Sequence, residues 1–454
     1  MLAVPGWGVL QRRFVERAEA RLAGRQPPPF PFAATAPAAG ARAWGRLARS
    51  LLRALFLRAP KRQAEVLVFT LAAGGSASDR DAYFGSLADW LGSERTTTVY
   101  LAAGAKTSLP GSAQRIPLEA FASANDVLAA WLEGRRATLA SAPADPDHAA
   151  LAKRLAQGEV AAGDAFAHAL MRRAFANMLA ALRPRVLVYP FENRAWEKSL
   201  VAAARVAGVA RIVGYQHSSI TPRHLAFEQG AGPLPPLPDC VLTVGAVTAQ
   251  WLRERAPALA DRIAVGASLR RATFAVPLPA GHGLLVAISS SRDEALALMQ
   301  WLHAAAPMLR LPVVLRSHPT IPVADLFARF EWPDAVRLSA GTTLDQDLAS
   351  ATMVCYASST VALEGMLHGR LPLFADIGDI PAADPLIGDC PAKAVATDGA
   401  SLAAQVAAIC RLDAPELERK RDAAKRYAEA YLRDPGENQV QGIVAAILKG
   451  KEAA

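Results

Sequence analysis

Two short polar motifs in the C-terminal half of this 454-residue chain carry side chains that could bind a phosphate. One motif comes directly after the apolar run 311–315, and the other comes directly after the apolar run 351–356. Both runs are typical of buried parallel strands, whose carboxyl ends meet at the ligand-binding edge of a sheet. Arginine, histidine and hydroxyls that open a helix are common phosphate ligands. We therefore predict a nucleotide-phosphate clamp made of Arg316, His318, Pro319, Ser358, Ser359 and Thr360.

A run of serines follows the predicted strand 284–288 in the same half of the chain. Small hydroxyl residues let backbone amides approach a phosphate, and an arginine adds positive charge. Ser290, Ser291 and Arg292 are therefore predicted to line the nucleotide site as well. Alternatively, Ser291 caps the next helix in a capping box with Glu294, and the two roles are compatible.

A carboxylate follows the predicted strand 185–189 of the N-terminal half. From the end of this strand, Glu192 could accept a proton from an acceptor hydroxyl, which makes it a candidate catalytic base. The alternatives are a helix cap or a salt bridge to Arg194, and binding of the acceptor without proton transfer. Asn193 and Arg194 are predicted acceptor ligands because they lie in the same loop.

The next predicted strand, 211–215, also ends in polar residues. Gln216 and His217 follow it, and such a polar cluster is costly to bury in an ordinary core. His217 is therefore a candidate catalytic residue, either as a base or as a substrate ligand, and Gln216 is a candidate acceptor ligand. A lone structural histidine is the alternative.

Strands alternate with helices twice along the chain, first over 65–244 and again from 283. This alternation predicts the α/β class with doubly wound parallel sheets. Two such halves form two facing Rossmann-like domains, and the cleft between them is the expected active site. The predicted segments are a basic, Pro-rich extension (1–62), an acceptor domain (63–265), a nucleotide-sugar domain (266–435) and a C-terminal tail or helix (436–454).

The extension contains a basic amphipathic stretch at 43–62, with apolar residues at helical spacing among arginines. Such a helix can lie on an anionic membrane, although an ordinary surface helix packed on the first domain fits equally well. No run of about 18 apolar residues or signal peptide is present, which predicts a cytoplasmic protein. Peripheral contact with the inner face of the inner membrane is compatible with this prediction.

Charge and cysteine content narrow the possible partners. The net charge of +9 favours anionic partners such as nucleotides or phospholipid headgroups. Nucleic acid is not expected, because the basic residues concentrate near the chain ends and do not interleave with aromatics. The four cysteines lack metal-ligand spacing, so neither a zinc site nor a disulfide framework is predicted. No Asp-x-Asp element occurs in a convincing context, and we predict no metal.

Together, these motifs resemble those of the GT-B glycosyltransferases, in particular bacterial enzymes of capsule and lipopolysaccharide synthesis that use CMP-activated sugars. His318-Pro319 resembles the HP motif of these enzymes, and Ser358-Ser359-Thr360 resembles their SS/ST motif. The resemblance implies that the CMP moiety and its phosphate bind at these positions. It also implies a ribose contact by Glu364, for which a helix-surface carboxylate is the alternative.

The resemblance implies a glycosyltransferase with no cofactor beyond its nucleotide-sugar donor, a CMP-linked sialic-acid-type sugar or Kdo. The partners would be that donor and a glycan or glycolipid acceptor. One departure is that the acidic tripeptide of related sialyltransferases is absent, which leaves Glu192 as the nearest candidate base. The alternatives are a CDP-alcohol glycerophosphotransferase, a UDP-sugar 2-epimerase and a non-catalytic polysaccharide-assembly protein on the same scaffold.

Overall fold

A computed structural model shows how the chain folds. It describes residues 37–59, 62–72, 81–102, 115–137, 153, 157, 160, 163–227, 236–269, 281–319, 321–378 and 382–448. The first part of the predicted extension lies outside these ranges, as does the segment 270–280 between the two predicted α/β halves. The chain divides into two compact units, one made of 1–60 with 119–177 and the other of 61–118 with 178–454.

The second unit contains two parallel sheets, and the first of them is built from the N-terminal α/β half. Its strands are β1 (Val66–Ala72), β2 (Thr96–Ala102), β3 (Arg115–Pro117), β4 (Val186–Pro190), β5 (Arg211–Gln216), β6 (Cys240–Thr243) and β7 (Ile263–Val265). They lie in the order β3-β2-β1-β4-β5-β6-β7, and every pairing is parallel. All five residues of β4 are buried, as expected for a central strand covered on both faces.

The second sheet is built from the C-terminal half. Its strands are β8 (Gly283–Ala287), β9 (Val313–Arg316), β10 (Val336–Leu338), β11 (Ala351–Tyr356), β12 (Leu371–Ala375) and β13 (Ala394–Ala396). They lie in the order β10-β9-β8-β11-β12-β13, again with parallel pairing throughout. The chain order reverses next to β8, which is where open α/β sheets bind ligands.

Helices connect the strands and follow them to the C-terminus. In chain order they are α1 (Pro37–Phe56), α2 (Leu87–Trp90), α3 (Ala124–Arg135), α4 (Asp164–Leu182), α5 (Ala195–Val206), α6 (Ala246–Arg255), α7 (Arg292–Ala305), α8 (Ala324–Phe327), α9 (Leu344–Ala349), α10 (Val361–Leu367), α11 (Gly399–Cys410), α12 (Ala414–Tyr431) and α13 (Glu437–Leu448). No helix within the described ranges combines the length and the apolar character needed to cross a bilayer.

The last two helices return from the C-terminal half to the first sheet. The Tyr431 hydroxyl at the end of α12 accepts a hydrogen bond from the backbone N–H of Ile220 at 2.9 Å. Gly245 makes this approach possible, because a Cβ there would lie 2.2 Å from the Tyr431 carbonyl oxygen. Beyond it, Arg211 at the start of β5 donates from Nη2 to the Ala446 carbonyl of α13 at 3.0 Å.

The first unit is helical and has its own small core. Leu47 and Ala54 of α1 pack with Val127 and Ala130 of α3 and with Phe166. This core gathers the apolar residues that helical spacing places on one face of each helix.

The predicted α/β class with two Rossmann-like parallel sheets is confirmed. Several predicted bounds differ from the observed ones. Helix α2 begins only at Leu87, because Asp81 holds the preceding residues in a tight turn. The three-residue strands β3, β7 and β13 were not predicted, since runs this short carry little periodicity.

Candidate functional site

The loop after β4 is held by a carboxylate beneath it. Glu197, in the first turn of α5, is only 2% exposed. Its carboxylate accepts the backbone N–H of Glu192 at 3.0 Å and that of Asn193 at 2.9 Å. Burial raises the pKa of Glu197 to about 8, although these N–H donors favour the ionised form. Asn193 has a φ of 57°, a left-handed conformation that turns the chain between β4 and α5.

Glu192 and His217 meet at the carboxyl edge of the first sheet. His217 Nε2 lies 3.5 Å from one carboxylate oxygen of Glu192, and Arg194 Nε donates to the other at 2.8 Å. Burial acts to raise the pKa of Glu192, but its electrostatic interactions with His217 and Arg194 outweigh this effect and leave the pKa lowered. Glu192 is therefore ionised at neutral pH, in contact with both partners. The salt bridge to Arg194 considered from the sequence is present.

Tyr83 packs edge-on against the His217 ring, with 4.5 Å between the ring centroids. Asp81 fixes this aromatic side chain, because its carboxylate accepts the backbone N–H groups of Tyr83 at 2.8 Å and Phe84 at 2.9 Å. The Thr70 hydroxyl at the end of β1 donates to the same carboxylate at 3.1 Å. The motifs taken from the sequence did not include this turn, although an aspartate that can hydrogen-bond the backbone two residues further on is a recognisable turn signal.

The predicted acceptor ligands Asn193, Arg194 and Gln216 surround this pair. Asn193 Nδ2 donates to the Ala226 carbonyl, and Gln216 Nε2 donates to the Ser218 carbonyl. Gln216 is 1% exposed, and within the described part of the chain its Oε1 accepts no hydrogen bond. A buried amide oxygen in this condition favours a ligand that donates a hydrogen bond.

At the edge of the second sheet, Glu294 joins the loops that follow β8 and β11. The Ser358 hydroxyl donates to its carboxylate at 2.7 Å, and the Ser358 N–H does so at 3.2 Å. Ser291 caps α7 by accepting the Glu294 N–H at 3.3 Å. The capping interpretation thus holds for the serine, while the glutamate side chain turns to Ser358. Burial raises the pKa of Glu294 despite hydrogen bonds from Ser289 and Ser358.

Two arginines of the predicted nucleotide site are engaged with carboxylates. Arg316 donates to Asp347 at 2.5 Å, and Asp347 is 1% exposed. Arg292 pairs with the exposed Asp325 at 2.5 Å. Arg316 therefore also braces the loop after β10, where its partner accepts hydrogen bonds from Ser339 at 2.6 Å and Thr342 at 2.8 Å.

The remaining predicted nucleotide ligands lie along the same edge. His318 is half-buried just after β9, and this burial lowers its pKa, so the ring is neutral at pH 7. Ser359 is buried and accepts the Val361 N–H at 3.4 Å, at the start of α10. The rest of this predicted set is on the surface or half-buried, namely Pro319, Ser290, Thr360 and Glu364.

Arg223 brings the two sheet edges into electrostatic contact. This residue follows β5, and its charge acts to lower the pKa of Glu294 in the C-terminal half. His224, its neighbour, acts in the same direction on Glu192. The described residues that follow β5, 217–227, therefore carry charges that act on Glu192 of the first half and on Glu294 of the second.

Two parallel, Rossmann-like sheets with polar residues at their facing carboxyl edges define a GT-B fold. Among solved structures, CalG4, the calicheamicin glycosyltransferase, has a TM-score of 0.51 at 13% identity, covering 86% of this chain and 100% of its own. The UDP-GlcNAc 2-epimerase from Neisseria meningitidis has a TM-score of 0.46 at 11% identity, and the match covers 85% of this chain and 99% of the epimerase. The wall teichoic acid polymerase TagF has a TM-score of 0.42 at 10% identity, and the match covers 97% of each chain. No protein-family model and no curated protein sequence matches the chain.

Proposed function

We propose that this protein is a glycosyltransferase that moves a sugar from a nucleotide donor to a hydroxyl of a glycan or glycolipid acceptor. The observation that carries this proposal is the Glu192–His217 pair, 3.5 Å apart, at the carboxyl edge of the first sheet of a GT-B fold. A general base is needed there, because the acceptor hydroxyl must lose a proton as it attacks. The GT-B fold by itself would not establish the activity.

His217 is the proton acceptor in the proposed reaction. A carboxylate with a lowered pKa, such as Glu192, is a poor base near neutral pH, whereas imidazole is the common one. The acceptor oxygen forms a bond to the anomeric carbon, its proton passes to His217, and the bond from that carbon to the phosphate oxygen breaks. Glu192 orients the imidazole and stabilises the imidazolium that forms. The electron pair of the broken bond leaves on the nucleotide phosphate.

The donor binds at the edge of the second sheet in this proposal. His318 and the hydroxyls of Ser358 and Ser359 stabilise the charge that develops on the leaving phosphate. Ser290 and Thr360 extend this polar surface toward solvent. The likeness of His318-Pro319 and of the serine pair to the HP and SS/ST motifs supports a CMP-linked nonulosonic acid or Kdo as the donor. Glu364 is the proposed ribose contact, and no metal ion takes part.

The proposed setting is the synthesis of capsule or lipopolysaccharide in the cytoplasm, at the inner face of the inner membrane. The predicted hydroxyl-bearing acceptor would be a growing glycan or its lipid-linked form. Gln216, with its buried Oε1, is a proposed hydrogen-bond acceptor for a hydroxyl of that molecule.

Calorimetric titration of the full chain with CMP, UDP, GDP and CDP tests the donor assignment. We expect CMP to bind most tightly, and we expect His318→Ala to weaken that binding by at least tenfold. His282→Ala is the matched control, since this exposed histidine precedes β8, at the opposite edge of the same sheet.

The other outcomes of this titration separate the alternatives. Preference for UDP would favour a UDP-sugar enzyme such as an epimerase, and turnover of a CDP-alcohol would favour a glycerophosphotransferase. Failure to bind any of the four nucleotides would contradict the proposed function and favour a non-catalytic assembly protein.

A further inference from the structure

Helix α1 of the helical unit is apolar on two sides, and only one of them is packed. Leu47 and Ala54 face the core of the unit. On the outward side, large apolar side chains remain open to solvent along the helix. Their exposed fractions are 58% for Trp44, 57% for Leu52, 57% for Leu55 and 80% for Phe56.

Helix α3 contributes exposed apolar side chains to the same unit. The Trp44 ring packs against Trp131 of α3, with 5.0 Å between the ring centroids. Leu128 and Leu132, which lie one turn apart on α3, are exposed by 50% and 56%. Of the eleven large apolar residues that are exposed in the described ranges, six therefore belong to these two helices. Such concentration on a surface marks an interaction site.

The charged residues along α1 and just after it have one sign. Residues 37–64 contain seven arginines and lysines and no aspartate or glutamate. Arg46 and Arg53 form ion pairs with Asp164 and Glu119 of the same unit. Arg49 and Arg58, however, are exposed, so the apolar stripe is flanked by positive charge.

This combination matches the interface of an anionic bilayer more closely than a protein partner. Tryptophan and arginine are favoured at the headgroup level, where one part of the side chain is apolar and the rest is wet. The Arg135 guanidinium stacks over the Trp131 ring at 5.8 Å, which places a further cation beside the aromatic pair. Helices of this kind lie in the membrane plane with the apolar face inserted.

We propose that the outward face of α1, joined by Leu128 and Leu132 of α3, docks the protein on a membrane rich in anionic phospholipid. We call this surface the docking face. Exposed apolar side chains enter the boundary between headgroups and acyl chains, and Arg49 and Arg58 contact the acidic headgroups. The sequence left open whether this helix packs on the protein or lies on a membrane. The two sides of α1 allow both contacts together.

Flotation of the full-length protein with lipid vesicles tests the docking face. We expect binding to vesicles of phosphatidylcholine and phosphatidylglycerol, and little binding to phosphatidylcholine alone. The triple variant Leu52→Gln/Leu55→Gln/Phe56→Gln should bind anionic vesicles at least about tenfold more weakly, because it removes the inserted apolar area. The double variant Arg49→Gln/Arg58→Gln should lose about fivefold in affinity for each arginine.

Val206→Gln is the matched control, since Val206 is 91% exposed on α5 of the other unit and should not affect vesicle binding. All three variants change exposed positions and should keep the melting temperature of the wild type. Failure of the wild type to bind anionic vesicles, or equal binding by the triple variant, would overturn the proposal. It would also be overturned if the triple variant only converted a dimer to a monomer in light scattering. Vesicle binding is measured without a donor, so its outcome is independent of nucleotide specificity.

Discussion

At the scale of single residues, two glutamates five positions apart have pKa values shifted in opposite directions. Glu197 is buried beneath the loop, and burial raises its pKa to about 8. Glu192 lies between His217 and Arg194, and its electrostatic interactions with them leave its pKa lowered in spite of burial. The Glu197 carboxyl holds the loop by accepting its backbone N–H groups. The Glu192 carboxylate is the group proposed to orient His217 and to stabilise its protonated form.

Removal of the proposed base should abolish most turnover. We expect His217→Ala to reduce kcat about 10²- to 10⁴-fold with a small change in KM, the range typical of losing a general base. Glu192→Gln should reduce kcat less, because the imidazole remains but loses its ionic partner. Steady-state assays of sugar transfer check both variants. Glu254→Gln, at an exposed position on α6, is the control, and equal kcat for His217→Ala and wild type would contradict the mechanism.

The charge state of Glu197 should appear in the pH dependence of stability. Its folded-state pKa of about 8 lies above the ordinary pKa of 4.5, so its contribution to stability is largest when the carboxyl is protonated. That contribution is fully present below about pH 4.5 and is lost as the pH rises toward 8. Denaturant unfolding between about pH 5 and pH 9, which covers most of this window, checks the expected loss.

Glu197→Gln should reduce the loss of stability with rising pH. At low pH the variant should lower the free energy of unfolding by about 1–2 kcal/mol, because the amide NH₂ cannot accept the loop N–H groups that the carboxyl accepts. Its stability relative to wild type should then improve as the pH rises. Parallel curves for the two proteins from pH 5 to pH 9 would show that Glu197 does not titrate in this window.

At the scale of secondary-structure elements, the serine run before α7 serves two purposes at adjacent positions. Ser291 caps the helix, whereas its neighbour Ser290 is exposed at the sheet edge. Glu294 then ties the start of α7 to Ser358 after β11. One helix start thus fixes two loops of the proposed donor site.

Alanine substitutions at these two serines should separate capping from binding. Ser291→Ala should lower the free energy of unfolding by about 1 kcal/mol, the usual cost of losing an N-cap. Ser290→Ala should leave stability nearly unchanged and should weaken binding of the nucleotide. Chemical denaturation and calorimetry on the same two proteins check this. The reverse pattern would assign ligand binding to Ser291 and the stabilising role to Ser290.

The sequence allowed the prediction of the strands and of the polar residues that follow them, because buried parallel strands are short apolar runs with loops at their ends. It did not reveal which carboxylates turn inward. Glu197 and Asp347 each occupy the first turn of a helix, where an acidic residue normally faces solvent and favours the helix dipole. Their burial depends on loops that fold back over them, and such contacts are not periodic in sequence. The sequence also did not reveal which side of α1 is packed, because apolar residues occur on both sides of this helix.

At the scale of the whole molecule, the C-terminal helices connect the two halves that carry the proposed donor and acceptor sites. Tyr431 bonds to the backbone of Ile220 in the first half, and Tyr427, one turn earlier, donates to the Ile387 carbonyl in the second half at 2.7 Å. The Ser268 N–H also donates to the Arg433 carbonyl at 2.8 Å. Through these hydrogen bonds, α12 and the residues after it contact loops of both halves.

Two tyrosine variants should distinguish the two attachments. Tyr431→Phe leaves the buried Ile220 N–H without its acceptor and should cost about 1–3 kcal/mol. Hydrogen exchange should then rise in the loop 217–227 of the first half. Tyr427→Phe is the matched variant, and its faster exchange should appear in 382–393. Faster exchange of the same segment in both proteins would show that the two tyrosine contacts are not independent of each other.

The return of the chain to the first sheet also affects the order in which the protein can be completed during synthesis. Strands β1 to β7 leave the ribosome early, but α13, whose Ala446 carbonyl accepts the Arg211 hydrogen bond, is made last. The first sheet is therefore contacted by α13 only after the entire C-terminal half has been synthesised. Nascent chains halted shortly before residue 437 should expose the β4–β5 face to chaperones, even though every strand of that sheet has already been translated.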